Sequence, residues 1–228
     1  MKEQYFTHDN IFEQSLKIKK IAQKYSRHKK IFIKNQSAAL LVVDMQNYFL
    51  DPDSHAFIPS AKAIIPNIKL LIKTCLQFEI PVIFTQHINN VQNAGMMNIW
   101  WDDFITEKNP LSKINEEVYI PNLLIIKKTQ YDAFYKTRLE QELKQLNKTQ
   151  LIICGVMTNL CCETTVRAAF VRGFEPFLPI DATAAYNFDF HLSTIRNLAY
   201  GFMLPVLTNE IIVKIKQVTS NIIKKNKD

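Results

Sequence analysis

Short apolar runs alternate with longer helical stretches along this chain of 228 residues, and this alternation constrains its fold more than any other feature. Alternating strands and helices are typical of a mostly parallel sheet with helices on both faces. A hydrophobic content of 47% suits one domain with a substantial core. We therefore predict a single-domain, three-layer α/β sandwich. The predicted strands are 38–43, 81–85, 123–126, 151–154, 176–180 and 204–207, and the predicted helices include 61–77, 137–146, 163–172 and 191–202.

A pair of cysteines, Cys161 and Cys162, follows the apolar run 151–154 and a tight turn at Gly155. This pattern predicts a strand, a turn and a cysteine in the first turn of a helix. The first N–H groups of a helix have no partner within the helix, and its dipole places partial positive charge there. Such an environment lowers the pKa of a thiol and can make it a nucleophile. The alternative is that both cysteines are small buried apolar residues.

Two other apolar runs also end in charged residues. Asp44 follows the run 38–43, and Lys127 and Lys128 follow the run 123–126. In an open parallel sheet the carboxyl ends of the strands line the ligand crevice, so Asp44 is well placed to be a general base. The alternatives are an aspartate that caps a helix or bonds a turn, and lysines that lie at the surface. An acid, a lysine and a cysteine at three strand ends favour a common site.

Four short motifs carry a resemblance to a known family. They are Val43-Asp44-Met45-Gln46, the segment 128–134 (KTQYDAF), the segment 155–161 (GVMTNLC) and Asp181-Ala182-Thr183-Ala184. The order and spacing of these motifs resemble those of the isochorismatase-like hydrolase superfamily, which includes nicotinamidases, N-carbamoyl amidases, ureidoacrylate amidases and isochorismatases. The resemblance covers roughly residues 36 to 215. It implies a Rossmann-like α/β fold, with residues 36–216 as the hydrolase domain.

The catalytic triad of this family carries over to Asp44, Lys128 and Cys161. Lys128 is chosen over Lys127 because the family lysine stands three residues before the aromatic of the K-x-x-Y pattern. Alternation along a strand also places the two lysines on opposite faces, so only one of them can face the site. Cys161 is chosen over Cys162 because the family cysteine stands six residues after the glycine, which is Gly155 here.

The resemblance also implies a mechanism, in which a cysteine thioester forms during cleavage of a C–N bond in a small amide or ureide. Asp44 takes the proton of the Cys161 thiol, and Lys128 stabilises the thiolate. The backbone N–H groups of Met157 and Cys161 form the oxyanion hole. A cis peptide between Val156 and Met157 orients the N–H of Met157.

Two other functions remain open. An isochorismatase-type vinyl-ether hydrolase would use Asp44 without a nucleophile, and the segments Thr85-Gln86-His87 and Trp100-Trp101 are similar to that branch. Cys161 stands where glycine often stands in that branch, which favours the cysteine hydrolases. The second alternative is a non-catalytic interaction protein on this fold, since a fold alone does not establish a function. The joint presence of Asp44, Lys128 and Cys161 argues against it.

Several aromatic and polar side chains near the motif ends are candidates for substrate binding. Phe49, Trp100, Trp101, Tyr131 and Phe134 could surround a small apolar cavity, although each is equally typical of a core or an interface. We assign the substrate-binding role to Phe49, Gln86, His87, Trp100, Tyr131 and Phe134.

Resident cofactors are not expected. Nicotinamidases bind a metal through an Asp-x-His pair after the second strand, and this chain has no such pair there, so no metal is expected. The sequence contains no G-x-G-x-x-G motif and no P-loop, so no nucleotide cofactor is expected. The four cysteines have the spacing of neither a zinc site nor a disulfide framework.

The net charge of +7 is concentrated towards the two ends of the chain. Charge runs of this kind more often form a solvated helix face than a nucleic-acid site, so no nucleic-acid partner is expected. No apolar run reaches the ~20 residues of a membrane span, so no membrane partner is expected either. We predict an N-terminal helical extension over 1–35, a basic C-terminal tail over 217–228 and a cytoplasmic protein. The family resemblance implies a homodimer or homotetramer that acts on a small molecule.

Overall fold

A parallel β-sheet forms the centre of this protein. The structure is a computed structural model that describes residues 1–26, 32–101 and 103–225, with side chains described as far as residue 217. Within these ranges seven strands form one sheet in the order β3-β2-β1-β4-β5-β7, with β6 paired to β4. Each of the six strand pairs is parallel, which confirms the predicted sheet. The strands are β1 (Ala38–Val43), β2 (Val82–His87), β3 (Leu124–Lys128), β4 (Gln150–Val156), β5 (Glu175–Pro179), β6 (Thr183–Ala184) and β7 (Leu204–Val206).

The helices follow the predicted alternation, with some shifts at their ends. The helix predicted over 191–202 begins earlier, at Phe188, because the side chain of Asn187 accepts a hydrogen bond from the Phe190 N–H and caps the helix. The helices are α1 (Ile11–Gln23), α2 (Asn47–Leu50), α3 (Ala61–Gln77), α4 (Met97–Trp100), α5 (Leu139–Gln145), α6 (Glu163–Val171), α7 (Phe188–Gly201) and α8 (Thr208–Lys225).

Each end of the described chain contains a helix. Helix α1 lies within the predicted extension and packs on α7, with Ile11, Ile18 and Ala22 buried. The boundary predicted after residue 216 falls inside helix α8. Asp181 caps the first turn of this helix, because its Oδ1 accepts hydrogen bonds from the N–H and hydroxyl of Thr208 at 2.8 and 2.9 Å. Residues 27–31 and 226–228, which carry part of the basic charge at each end, lie outside the described residues.

The centre of the sheet is buried on both faces. Every residue of β1 and β4 is buried, as expected for parallel strands covered by helices on each side. At the carboxyl end of β4, Gly155 has φ +113°, and a Cβ there would lie 2.0 Å from the carbonyl oxygen of Val43. Only glycine allows this approach of the two strands. The approach places the segment after β4 directly beside Asp44.

None of the helices in the described part of the chain is long and apolar enough to cross a membrane.

Candidate active site

Asp44 directly follows β1 and is completely buried. Its φ of 48° lies in the left-handed region, which aspartate tolerates better than most residues. The Thr85 hydroxyl on β2 donates a hydrogen bond to Asp44 Oδ1 at 2.6 Å and accepts one from the Asp44 N–H at 3.0 Å. One carboxylate oxygen is therefore held by the neighbouring strand, and Oδ2 faces the other side of the site.

Lys128 is the last residue of β3 and is 1% exposed, so its ammonium group lies in the protein interior. Its Nζ lies 2.7 Å from Asp44 Oδ2 and 3.3 Å from the Sγ of Cys161. It also donates to the carbonyl oxygen of Gln130 at 3.0 Å. The preceding Lys127 is exposed and pairs with Glu107 at the surface. Because side chains alternate along the strand, Lys128 faces the site and Lys127 faces solvent. Lys128 is the lysine that the sequence motif predicted.

Cys161 lies in a π-helical turn, Thr158–Cys162, between β4 and α6. The sequence predicted the first turn of an α-helix, and the structure has this wider turn immediately before it. Such turns often occur at functional sites, because they redirect side chains. Cys161 is 5% exposed and faces a cavity, whereas Cys162 is fully buried. The fold thus brings Asp44, Lys128 and Cys161 together from three strand ends.

The carboxylate and the ammonium form a buried ion pair. Burial alone would raise the pKa of Asp44, but the charge of Lys128 and hydrogen bonds from Lys128 and Thr85 hold this pKa below its ordinary value. Burial would likewise lower the pKa of Lys128, but the charge of Asp44 and hydrogen bonds to Asp44 and Cys161 raise it above its ordinary value. Both groups are therefore charged at neutral pH.

The thiol behaves differently from the sequence expectation. Burial raises the pKa of Cys161 to about 12, the charge of Lys128 lowers it, and the charge of Asp44 raises it further. The helix dipole was expected to lower this pKa. The difference arises because the thiol has little contact with water and an anion lies beside its cation. The resting site therefore contains a neutral thiol next to an ion pair.

Alkylation of Cys161 by iodoacetamide should therefore become faster by about tenfold per pH unit between about pH 8 and 10. The reason is that the fraction of reactive thiolate increases about tenfold per pH unit when the pH lies far below the pKa of the thiol. The rate should also be lower in the native protein than in urea-unfolded protein at the same pH. Peptide mass spectrometry would follow Cys161 separately from the other thiols. A rate that levels off below about pH 8.5 would contradict the raised pKa.

His87 orients the lysine. Its Nδ1 lies 3.2 Å from Lys128 Nζ, and its Nε2 contacts the side-chain oxygen of Asn89. Burial, followed by the charge of Lys128, lowers the pKa of His87 to about 4, so the ring is neutral. Because an ammonium group can only donate, Nδ1 accepts and Nε2–H donates to Asn89. The Gln46 side chain accepts from the His87 N–H at 2.8 Å and holds this strand end.

An additional cation would compete with Lys128 for the centre of this cluster. Ligand atoms of Asp44, His87 and Cys161 lie within 4.8 Å of one another, which is suitable for a metal ion. The Lys128 Nζ already lies between 2.7 and 3.3 Å from an atom of each of the three. These residues therefore fit a lysine ammonium better than a metal ion.

A small cavity opens above Cys161. Its volume is about 70 Å³, whereas a cavity that holds one water molecule needs about 10–15 Å³. The cavity therefore suits a small organic molecule. Met157 and Cys161 both border it, and the peptide between Val156 and Met157 is cis. The aromatic and apolar part of the wall includes Phe49, Trp101, Phe104, Tyr131, Leu160 and Tyr186.

Three of the six predicted substrate-binding residues line this cavity, namely Phe49, His87 and Tyr131. Trp100 does not, since it is 74% exposed on the outside of α4. The next residue, Trp101, lines the cavity, and its Nε1–H donates to the Tyr131 hydroxyl at 2.8 Å.

The structure also places Gln86 and Phe134 elsewhere. Gln86 alternates with His87 on β2, and its side chain donates to the Ser112 carbonyl at 2.9 Å. Phe134 stacks on Phe174 with ring centroids 5.7 Å apart. Both assignments are therefore corrected. Strand alternation turns the Gln86 side chain away from the cavity, and the Phe134 ring packs in the hydrophobic core.

The polar end of the cavity was missed by sequence reasoning. Tyr48, on α2, donates to the Asp103 carboxylate at 3.0 Å and contacts Nε2 of His55. Tyr186 completes this end from the segment after β6. These residues come from separate loops that share no spacing in the sequence, so no local pattern could have found them.

Comparisons with known proteins identify the family of this chain. The family model "Isochorismatase domain" matches residues 38–210. Nicotinamidase 3 of Arabidopsis thaliana is 40% identical over 171 residues, which are 72% of this chain and 82% of the relative. Enterobactin synthase component B of Escherichia coli (strain K12) is 33% identical over 181 residues, 78% of this chain and 63% of the relative. The structure of a cysteine hydrolase from Pseudomonas syringae pv. phaseolicola 1448A superposes with a TM-score of 0.80 at 26% identity, covering 83% of this chain and 97% of the other. This chain therefore belongs to the isochorismatase family and is a hydrolase.

Proposed function

We propose that this protein is a cysteine amidohydrolase that cleaves the C–N bond of a small aromatic amide, with nicotinamide as the candidate substrate. The observation that carries the proposal is the line of contacts from Asp44 through Lys128 to Cys161, which ends at the wall of an aromatic cavity. A flat ring packs well between aromatic side chains. The likeness to nicotinamidase 3 of Arabidopsis thaliana supports the choice of nicotinamide.

In the first half of the proposed reaction, Asp44 removes the proton of Cys161 while the sulfur attacks the amide carbon. The two events occur together, because the resting thiol is neutral and a free thiolate would be costly in this buried site. Lys128 stabilises the negative charge on sulfur at 3.3 Å. The oxyanion of the tetrahedral intermediate accepts hydrogen bonds from the backbone N–H groups of Met157 and Cys161.

In the second half, protonated Asp44 gives its proton to the amide nitrogen, and the C–N bond breaks to release ammonia. The acyl group remains on Cys161 as a thioester. Asp44, again ionised, then takes a proton from water as the water oxygen attacks the thioester carbon. Collapse of this intermediate breaks the C–S bond and releases the carboxylic acid, and Asp44 returns the proton to the sulfur of Cys161, which restores the thiol and the carboxylate.

The direct experiment incubates the wild-type protein with nicotinamide, benzamide and a small ureide, and measures ammonia and the carboxylic acid. Acid-quenched samples are searched by mass spectrometry for an acyl group on the peptide that contains Cys161. Equal amounts of ammonia and acid, with acylation of that peptide, are expected. Absence of ammonia from every amide would overturn the proposed substrate class.

Vinyl-ether hydrolysis is the second candidate, since enterobactin synthase component B and an isochorismatase of Bacillus subtilis are also similar in sequence. Cleavage of a vinyl ether begins with protonation of the substrate, so it needs an acid at the start. Lys128 keeps Asp44 ionised at neutral pH, which favours a reaction that begins with a base. Pyruvate release from isochorismate, with no ammonia from amides, would favour this second chemistry.

Substitution of the proposed base should separate hydrolysis from thiol reactivity. Asp44→Asn should lower amide hydrolysis by about 10²–10⁴-fold, the usual contribution of a positioned base. The same change should speed alkylation of Cys161, because the Asp44 charge that raises the pKa of the thiol is gone and Lys128 remains. Both rates would be measured on the same preparation.

A matched control for Asp44→Asn is Asp181→Asn, which changes a buried carboxylate that caps α8. It should leave hydrolysis and alkylation close to the wild-type rates. If amide hydrolysis and the alkylation rate of Cys161 both fell in Asp44→Asn, the substitution would have disturbed the site as a whole.

The two neighbouring tryptophans provide a test of the pocket. Trp101→Ala removes a wall of the cavity and the hydrogen bond to Tyr131, so the KM for the amide should rise by about tenfold with a smaller change in kcat. Trp100→Ala changes an exposed side chain of the same size and should leave KM unchanged. Equal effects of the two substitutions on KM would contradict the cavity as the substrate site.

A further inference from the structure

Residues 1–7, called here the N-terminal segment, lie outside the region that matches the family model, which begins at residue 38. Two of its residues, Tyr5 and Phe6, are nevertheless part of the folded core. Phe6 is fully buried and Tyr5 is 7% exposed. The N–H groups of both residues donate to the Ser60 hydroxyl, at 3.1 and 3.0 Å, where α3 begins.

The N-terminal segment holds the backbone around Tyr186, which borders the cavity. The Glu3 N–H donates to the Tyr186 carbonyl at 2.7 Å. The Ala185 N–H donates to the Tyr5 hydroxyl at 2.9 Å. The Phe188 N–H donates to the Glu3 carboxylate at 3.1 Å. The residues before, at and after Tyr186 are thus hydrogen-bonded to this segment.

Lys2 joins two parts of the cavity wall that come from different loops. Its Nζ donates to the carbonyl oxygen of His55. The same atom lies 5.0 Å from the centroid of the Tyr186 ring, within the range of a cation–π interaction. His55 and Tyr186 both line the cavity. A change at Lys2 therefore acts on both walls at once.

The segment also reaches the turn that carries the thiol. The rings of Tyr5 and Phe6 pack on His191 of α7, with centroids 5.4 and 5.2 Å away. A hydrogen bond of 2.9 Å joins Nδ1 of His191 to the hydroxyl of Thr158. Thr158 begins the π-helical turn in which Cys161 lies. The N-terminal segment therefore contacts the cavity wall and supports the turn below it.

We infer that the N-terminal segment is part of the substrate-selecting structure of this enzyme, with Lys2 and Tyr5 as positioning residues that set the width of the cavity entrance. These residues act through Tyr186 and His55 and do not touch the reacting atoms. The inference rests on the proposed function only for the identity of the substrate, since access to Cys161 can be measured without one.

The test compares alkylation of Cys161 by a bulky reagent, N-phenylmaleimide, and a small one, iodoacetamide, at about pH 9, where enough thiolate forms to react. The measured quantity is the alkylation rate with N-phenylmaleimide divided by the alkylation rate with iodoacetamide. In Tyr5→Phe this ratio should rise about 3- to 10-fold, the range expected for loss of one buried hydrogen bond. In Lys2→Ala it should rise about 2- to 5-fold, because the Lys2 ammonium group is more exposed to water and holds Tyr186 less firmly. Lys2→Arg should restore the wild-type ratio.

The matched control is Lys17→Ala, which removes the same charge from an exposed position on α1. Its ratio should equal that of the wild type. Unchanged ratios in both Tyr5→Phe and Lys2→Ala would overturn the inference, as would an equal rise in Lys17→Ala. Tyr5→Phe keeps the buried ring, so the variant should stay folded. Unfolding curves would test this, and a rise in the ratio that came from partial unfolding would also overturn the inference.

Turnover separates this inference from the proposed function. On nicotinamide, Tyr5→Phe and Lys2→Ala should raise KM while kcat is largely kept, because the reacting groups are untouched. If the wild type does not hydrolyse nicotinamide, the proposed substrate is wrong and the alkylation ratio still decides the role of the N-terminal segment.

Discussion

Replacement of Cys161 by alanine is expected to lower amide hydrolysis by about 10⁴-fold or more, since the atom that would bond to the substrate is removed. Of the described residues that line the cavity, Cys161 is the only cysteine. Without the sulfur, Asp44 and Lys128 can only direct water at the amide itself, which is a much less reactive acyl group than the thioester. Ammonia release and acid formation on nicotinamide would be measured for both proteins.

The chain offers close controls for this substitution. Cys162→Ala changes the next residue, which is fully buried and does not border the cavity, and Cys75→Ala changes a buried thiol on α3. Both should keep most of the wild-type activity, apart from a modest loss of stability. Full amidase activity in Cys161→Ala would exclude the thioester mechanism. Unchanged pyruvate release from isochorismate in the same variant would identify the vinyl-ether chemistry instead.

Replacement of Lys128 by methionine is expected to lower both activity and stability. The change leaves the Asp44 carboxylate buried without its ionic partner, which typically costs about 3–5 kcal/mol of unfolding free energy. Hydrolysis should fall by about 10²–10³-fold or more, because no cation stabilises the charge that develops on sulfur. Urea unfolding and ammonia release would measure the two effects.

The pH dependence of stability should also change sign in Lys128→Met. In the wild type the pKa of Asp44 is lowered, so its stabilising contribution is present above the ordinary aspartate value and is lost as the pH falls through the lower, folded-state value. In the variant, burial is no longer offset by Lys128 and raises the pKa of Asp44. The folded variant then binds a proton more tightly than the unfolded chain, so it should gain stability as the pH falls from about 7 to 5.

Two further variants sharpen this test. Lys127→Met removes the neighbouring exposed lysine and should change neither stability nor its pH dependence appreciably. The double variant Lys128→Met with Asp44→Asn removes both buried charges, so it should recover much of the lost stability while remaining inactive. A single Lys128→Met protein as stable as the wild type at every pH would show that Asp44 is not paired with Lys128 in solution.

The short-range pattern of this sequence determined the strands and the residues at their ends. The period of two on β3 separates Lys128 from Lys127, and the β4–turn–helix pattern locates the cysteine pair, of which the family resemblance selects Cys161. These features depend on neighbours within a few residues, so the amino-acid order carries them directly. The parallel sheet follows from the same alternation, and parallel strands bring their carboxyl ends to one edge.

Only the tertiary structure decided the walls of the cavity and the state of the thiol. Trp101 rather than Trp100 faces the cavity because of how the segment after β2 folds over it, and Tyr186 is held by an N-terminal segment that is some 180 residues away in the sequence. The pKa of Cys161 is raised because distant elements bury it and place Asp44 beside it. Burial and charge at a point in space are sums over the whole fold, so no local pattern in the chain contains them.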